Sequence, residues 1–203
     1  MAESFAEATA GSGLKWHSWT RSIGGSTVHA GFVLPDEYPY ATYSVVAAGV
    51  SGATAASHIL QIMAGSSLNV RIRSICVEQF AVPAAVAAYS LQIFRLSTAG
   101  TGGTAVTPRP YDSADAASGA TAMTLPSSKG TEGVQLYQEA LWMGTAAIPT
   151  ANNRMEWPNI VYGGMKPIVI PAGTSNGVAI KNPGGLAGVT FDVTVELVET
   201  AFV

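Results

Sequence analysis

The segment Gly100-Thr101-Gly102-Gly103-Thr104-Ala105 has the glycine spacing of a dinucleotide-binding turn and follows an apolar run that reads as a strand. That chemistry needs a helix N-terminus aimed at the pyrophosphate, where free N–H groups meet the negative charge. Val106, Thr107, Pro108, Arg109 and Pro110 come next, and two prolines at this spacing hold the backbone extended instead. The residues therefore favour a flexible loop between strands. No His-Glu-x-x-His or Cys-x-x-Cys spacing occurs, and His17, His29 and His58 lie far apart in sequence. His58 opens an apolar strand and reads as a satisfied core or edge residue. Cys76, the single cysteine, lies in an apolar run and reads as a small buried side chain.

Paired carboxylates are the remaining route to catalysis. Glu139, Glu156, Asp192 and Glu196 are the acids nearest the strand centres, and Asp192 and Glu196 fall on a presumed outer face. A carbohydrate-active sandwich would place two acids about 5 to 10 Å apart. Trp142 and Trp157 could stack on sugar, yet Trp157-Pro158 after Asn152, Asn153 and Arg154 is as easily a packed loop anchor. The sequence identifies no catalytic set, no metal ligands and no cofactor site, and the chain reads as non-enzymatic. The residue types that do stand out are aromatic. Trp16, Trp19, Phe32, Tyr38 and Tyr40 sit among glycines and prolines in the first 42 residues without a regular period. Such side chains need a surface to bury against, either their own domain or a neighbouring subunit, and they are the candidate partner interface.

The elements that would position these residues are strands. Val189, Phe191, Val193, Val195 and Leu197 alternate with Thr190, Asp192, Thr194 and Glu196, which predicts a strand with one buried and one wet face. From Leu68 to Phe80 the alternation changes phase after Ser74, so that Ile75 and Val77 take the apolar places; a β-bulge or a sheet crossing near Ser74 accounts for this. Further strands are expected at Tyr43 to Ala47, His58 to Met63, Tyr89 to Leu96, Val134 to Met143, Ile168 to Ile170 and Val178 to Lys181. No segment keeps a helical period for three turns. The expected fold is all-β, an antiparallel two-sheet jelly-roll sandwich of about eight strands over residues 43–203, with an extended N-terminal arm at 1–42 and a long loop excursion at about 100–130.

Composition narrows the partners. Charged residues make up 11% of the 203, where about 25% is usual, and 48% are hydrophobic. A surface so poor in charge suits a protein that works inside an assembly. A net charge of -3 and ten scattered Lys and Arg residues give no pull on a polyanion, so nucleic acid is not an expected partner. No run approaches the ~20 apolar residues of a membrane helix, and Met1-Ala-Glu-Ser-Phe-Ala-Glu7 shows no secretory signal.

Three segments carry a resemblance: Met165-Lys-Pro-Ile-Val-Ile-Pro-Ala-Gly173, Gly177-Val-Ala-Ile-Lys181 and Gly188-Val-Thr-Phe-Asp-Val-Thr-Val-Glu196. They resemble the closing strands of virion structural proteins of tailed bacteriophages, among them jelly-roll capsid decoration or cement proteins. Asn69-Val-Arg-Ile-Arg73 and Gly102-Gly103-Thr-Ala-Val-Thr-Pro108 extend the likeness over roughly residues 68 to 198. The resemblance implies a homotrimer bound to the major capsid protein or other virion subunits, on the capsid exterior, made in the host bacterial cytoplasm and without a cofactor or membrane. A tail, fibre or baseplate component with a receptor-binding role, and a carbohydrate-binding or carbohydrate-active jelly roll, are the alternatives.

Overall fold

The computed structural model describes residues 3–7, 15–23, 26–32, 40–143, 154–158 and 167–201, with backbone alone for 3–32 and Met143. Met1–Pro39 and Tyr40–Val203 are separate compact units. In the first, β1 (Glu3–Glu7), β2 (Lys15–Ile23) and β3 (Ser26–Phe32) pair antiparallel in that order. Glu3 lies opposite Trp19, and His17 opposite both Phe5 and Phe32. The expected arm at 1–42 thus differs in two respects: the division falls between Pro39 and Tyr40, and the extended segments pair with one another. Their hydrophobic pattern is irregular, so the pairing leaves little trace in the sequence.

The second unit is a two-sheet antiparallel β-sandwich, with no helix among the described residues. Its strands are β4 (Thr42–Ser51), β5 (Ser57–Met63), β6 (Asn69–Ala81), β7 (Ala87–Leu96), β8 (Thr104–Val106), β9 (Arg109–Pro110), β10 (Thr121–Thr124), β11 (Glu132–Met143), β12 (Arg154–Trp157), β13 (Ile168–Ile170), β14 (Gly177–Asn182) and β15 (Thr190–Thr200). One sheet runs β11-β7-β14-β5-β10-β8; the other runs β12-β6-β15-β4-β9, with β13 also paired to β6. These are twelve strands, and the eight expected from the sequence are all among them. The four additions, β8, β9, β10 and β12, are each four residues or shorter, too brief for alternation to register.

Eight of these strands nest as four pairs. β4 pairs with β15, β5 with β14, β6 with β13 and β7 with β11. Between the paired sheets lies one core, in which Val45, Leu60, Ile72, Leu91, Ile93, Ile180 and the inward row of β15 meet. Val189, Phe191, Val193, Val195 and Leu197 are all 1% exposed or less, as their alternation predicts. Each such side chain, taken out of water, stabilises the fold by about 1.5–3 kcal/mol.

The phase change in β6 is a bulge. Glu196 of β15 faces Ser74, but Leu197 faces Ile72, leaving Arg73 as the extra residue. Val70 and Ile72 on one side and Ile75 and Val77 on the other are all buried. The bulge also divides the strand's other edge, where β13 pairs with Val70–Ile72 and β12 with Ile75–Glu78. Pro171 follows the last residue of β13, and Gly173 adopts φ +119°, a conformation that suits glycine, before β14 begins.

The excursion between β7 and β11 is more ordered than a plain loop. β8 and β10 extend one sheet beyond β5, and β9 extends the other beyond β4. Its neck also folds over the outer face of β5, whose seven residues are all buried. There the Gly100 N–H donates to Gln61 Oε1 at 3.1 Å. A side chain at Gly100 would meet the Ser128 carbonyl at 2.6 Å, so this close crossing requires glycine.

Candidate functional site

The predicted interface aromatics fall in different places. Trp16 and Trp19 lie on β2 and Phe32 ends β3, whereas Tyr38 lies outside the described residues. Tyr40 opens the second unit in a bend and is exposed. The paired strands thus bring Trp16, Trp19 and Phe32 onto one three-stranded sheet.

The sandwich offers an apolar surface of its own that the sequence reading passed over. No charged residue occurs between Glu78 and Arg95, and this stretch exposes Phe80 near the end of β6 and Val82 and Val86 in the β6–β7 connection. Trp142, also exposed, sits on β11 opposite Ala88. Nearby, a shallow depression of about 300 Å³ is lined by Ala88, Tyr89, Ser90, Ala140 and the Gly184–Leu186 turn. Exposed aromatic and branched side chains in an uncharged stretch are the composition of a protein-binding surface.

The carboxylates that the sequence brought forward are engaged separately. Asp192 Oδ1 accepts from the Gly49 N–H at 2.8 Å. Glu196 accepts from Tyr111 Oη at 2.9 Å and Ser74 Oγ at 3.1 Å. Glu139 accepts from Tyr137 Oη at 3.1 Å, and Glu156 pairs with Arg154. Trp157 is buried and part of the core, which is the packed-anchor reading rather than the sugar-stacking one. Cys76 is a correction: with Ile75 and Val77 pointing inward, its thiol lies on the outer face and is only partly covered. Burial is still the largest influence on the thiol and pushes its pKa up.

Two other acids hold the polar centres of the sandwich. Glu132, at the start of β11, accepts from Lys181 Nζ at 2.6 Å, Lys129 Nζ at 3.1 Å and His58 Nε2 at 3.1 Å. Lys181 also lies over the Phe94 ring, 4.9 Å from its centre. Burial alone would raise the Glu132 pKa, but the hydrogen bonds from Lys181, Lys129 and His58 outweigh it and hold the carboxyl at about 2. His58 is fully buried, and loss of water lowers its pKa more than Glu132 raises it. Glu199, 7% exposed, accepts from Ala120 N at 2.7 Å, Ser118 Oγ at 2.9 Å and Gly119 N at 3.1 Å. A signal for Glu199 does exist in the sequence, since it continues the inward phase of Val193, Val195 and Leu197. Glu132 has no such signal, because besides the nearby Lys129 its partners His58 and Lys181 come from distant strands.

The glycine motifs serve the backbone. Gly100 to Ala105 runs into strand β8, with Gly102 at φ +74°, and no helix follows. Gly173-Thr174-Ser175-Asn176-Gly177 matches the spacing of a nucleophile elbow. That device needs a strand-to-helix turn, and here the segment joins β13 to β14, with Ser175 exposed. Among the described residues no three His, Cys, Asp or Glu side chains gather as metal ligands, and no helix is long and apolar enough to cross a membrane. Neither known protein families, nor curated proteins, nor solved structures give a match to this chain.

Proposed function

We propose that this chain is a non-enzymatic structural protein of a tailed-phage virion, a jelly-roll decoration or cement protein that binds and stabilises the assembled head shell as a homotrimer. The observation that carries the reading is the strand order. Successive strands β4, β5, β6 and β7 step between the two sheets, and β11, β13, β14 and β15 return beside them in reverse order. A long antiparallel hairpin rolled into two sheets would give a nested order of this kind, which supports the jelly-roll reading. The surface chemistry supports the same reading. A chain with 11% charged residues, exposing Phe80, Val82, Val86 and Trp142, is suited to contact with neighbouring subunits.

The test is the composition of purified particles. A decoration protein is expected on the outside of the head at a copy number that follows the shell lattice, and its omission should lower the temperature at which the shell opens. Light scattering of the isolated protein should give three times the 20.8 kDa chain mass. Confinement to the tail would replace this reading with a tail, fibre or baseplate role, and absence from particles would end it.

A further inference from the structure

Four side chains from three separate segments converge on the outer face of the sandwich where the excursion returns to the sheet. His58 belongs to β5, Lys181 to β14, Lys129 to the excursion and Glu132 to the first residue of β11. The same neck is closed by Thr101 N to Ser128 O at 2.8 Å, Ser97 N to Thr131 O at 3.0 Å and Thr131 N to Thr98 Oγ1 at 2.8 Å. We propose that His58, Glu132, Lys129 and Lys181 form an acid-released latch that fastens the neck of the 97–131 excursion onto the sheet.

The argument starts from hydrogen-bonding capacity. An ionised carboxylate only accepts, so at neutral pH His58 must present Nε2–H to Glu132, leaving Nδ1 as a bare acceptor. Nδ1 is buried and has no hydrogen-bond partner among the described residues. A bare lone pair there is tolerable. Protonation would place an N–H at the same point without an acceptor, and would set a third positive charge beside a single carboxylate. The charged groups facing the ring are Glu132 from β11, Lys181 from β14 and Lys129 from the excursion, so cations already outnumber anions. The neighbouring strand β7 adds the neutral Gln92 and Phe94 beside Lys181. A protonated ring is relieved by reaching water, and release of the neck, which holds Lys129 and Glu132 at the ring, is the route to it.

The direction with pH follows. His58 has a folded pKa below its ordinary 6.5, so the open state binds the proton more readily. Closure is complete above 6.5 and weakens as pH falls toward the folded value, by about tenfold per pH unit in that interval. Glu132 stays ionised throughout, because its carboxyl titrates at about 2.

Hydrogen exchange of the full chain at pH 7 and pH 5, corrected for intrinsic rates, tests the latch. Protection of the Gly100, Thr101, Ser128 and Thr131 amides is expected to fall from pH 7 to pH 5 while that of β15 amides holds. His58→Gln keeps a donor for Glu132 and does not titrate, so its neck amides should show no fall. Unchanged protection in the parent chain, or an equal fall in His58→Gln, overturns the proposal. Should His58→Gln fail to fold, NMR titration of the His58 ring in the parent chain decides: a midpoint below 6.5 that coincides with loss of neck protection supports the latch. A ring that titrates at or above 6.5, or titrates with the neck still protected, refutes it.

Discussion

Glu199 and Glu132 show how single carboxylates fix the excursion at its two ends. Glu199 draws the Ser118–Ala120 turn against β15 through three hydrogen bonds. Its removal in Glu199→Ala takes the carboxylate from the Gly119 and Ala120 N–H groups and from the Ser118 hydroxyl, leaving the buried Ala120 N–H only Ser118 Oγ at 3.1 Å. Glu199→Ala should therefore lose about 1–3 kcal/mol in urea unfolding, and Glu199→Gln, which retains an acceptor, clearly less. Equal losses would mean that side-chain volume, not the carboxylate, holds the turn. Glu132 makes a pH-dependent contribution. Its folded pKa of about 2 lies below the ordinary 4.5, so its stabilisation is present above pH 4.5 and disappears as pH falls to 2. Glu132→Gln should accordingly be less stable than the parent chain at pH 7, with the gap closing by pH 2. A gap independent of pH would assign the loss to packing. Legibility at this scale was partial. Glu199 stood in the sequence as a charge in apolar phase, whereas Glu132 depends on Lys129, Lys181 and His58 meeting only after the sheets form. Cys76 was misread by its neighbours' composition, although the phase set by Ile75 and Val77 already turned it outward.

β6 makes the same point about elements, because its bulge can be tested by deletion. Removing Arg73 would leave Val70, Ile72, Ile75 and Val77 in one continuous alternation, all facing the core opposite a straight β15. Removing Cys76 would instead bring Ile75 and Val77 to neighbouring positions and turn one of the two, with the strand beyond it, onto the wet face. A chain lacking Arg73 is thus expected to keep a strand-type circular dichroism spectrum and one cooperative thermal transition, and a chain lacking Cys76 to lose both. If the two deletions behave alike, the bulge is not what sets the phase of β6. Long strands with alternating or uniformly apolar residues were legible: β5, β6, β7, β11, β14 and β15 are all found where the pattern puts them, to within two residues at most ends. What escaped were the short pieces within the excursion, where Thr121–Thr124 is a strand because β5 offers an edge to pair with, and Thr104–Val106 because Thr121–Thr124 then offers the next edge. Pairing of that kind is tertiary, and small Thr and Ala side chains carry no periodic trace of it. The first unit was illegible for a related reason, since aromatics scattered among glycines fix neither phase nor register.

The whole molecule consists of two units with different prospects for standing alone. Residues 40–203 carry a described core reaching from Tyr43 to Leu197 across both sheets, a size at which one hydrophobic core suffices. Met1–Pro39 is a 39-residue piece, and pieces below about 40 residues seldom fold without a metal, a disulfide or a partner surface. Its single sheet carries Trp16, Trp19 and Phe32, residue types that dominate interface energetics when they fill a partner's pocket. A unit of this size would gain its stability from a surface it docks on. On the virion reading that surface is the head shell or a neighbouring subunit, so a chain beginning at Tyr40 should fold and yet fail to attach. Trp157, in the core of the sandwich and retained by the truncation, reports the first half through its fluorescence, which should keep the same cooperative transition within a few degrees. Co-sedimentation with shells reports the second and should drop to background. Collapse of the truncated chain would show that the first unit docks on its own sandwich. Full retention of attachment would move the binding surface to the sandwich itself, where Phe80, Val82 and Val86 are the exposed apolar side chains that substitution by serine would then test.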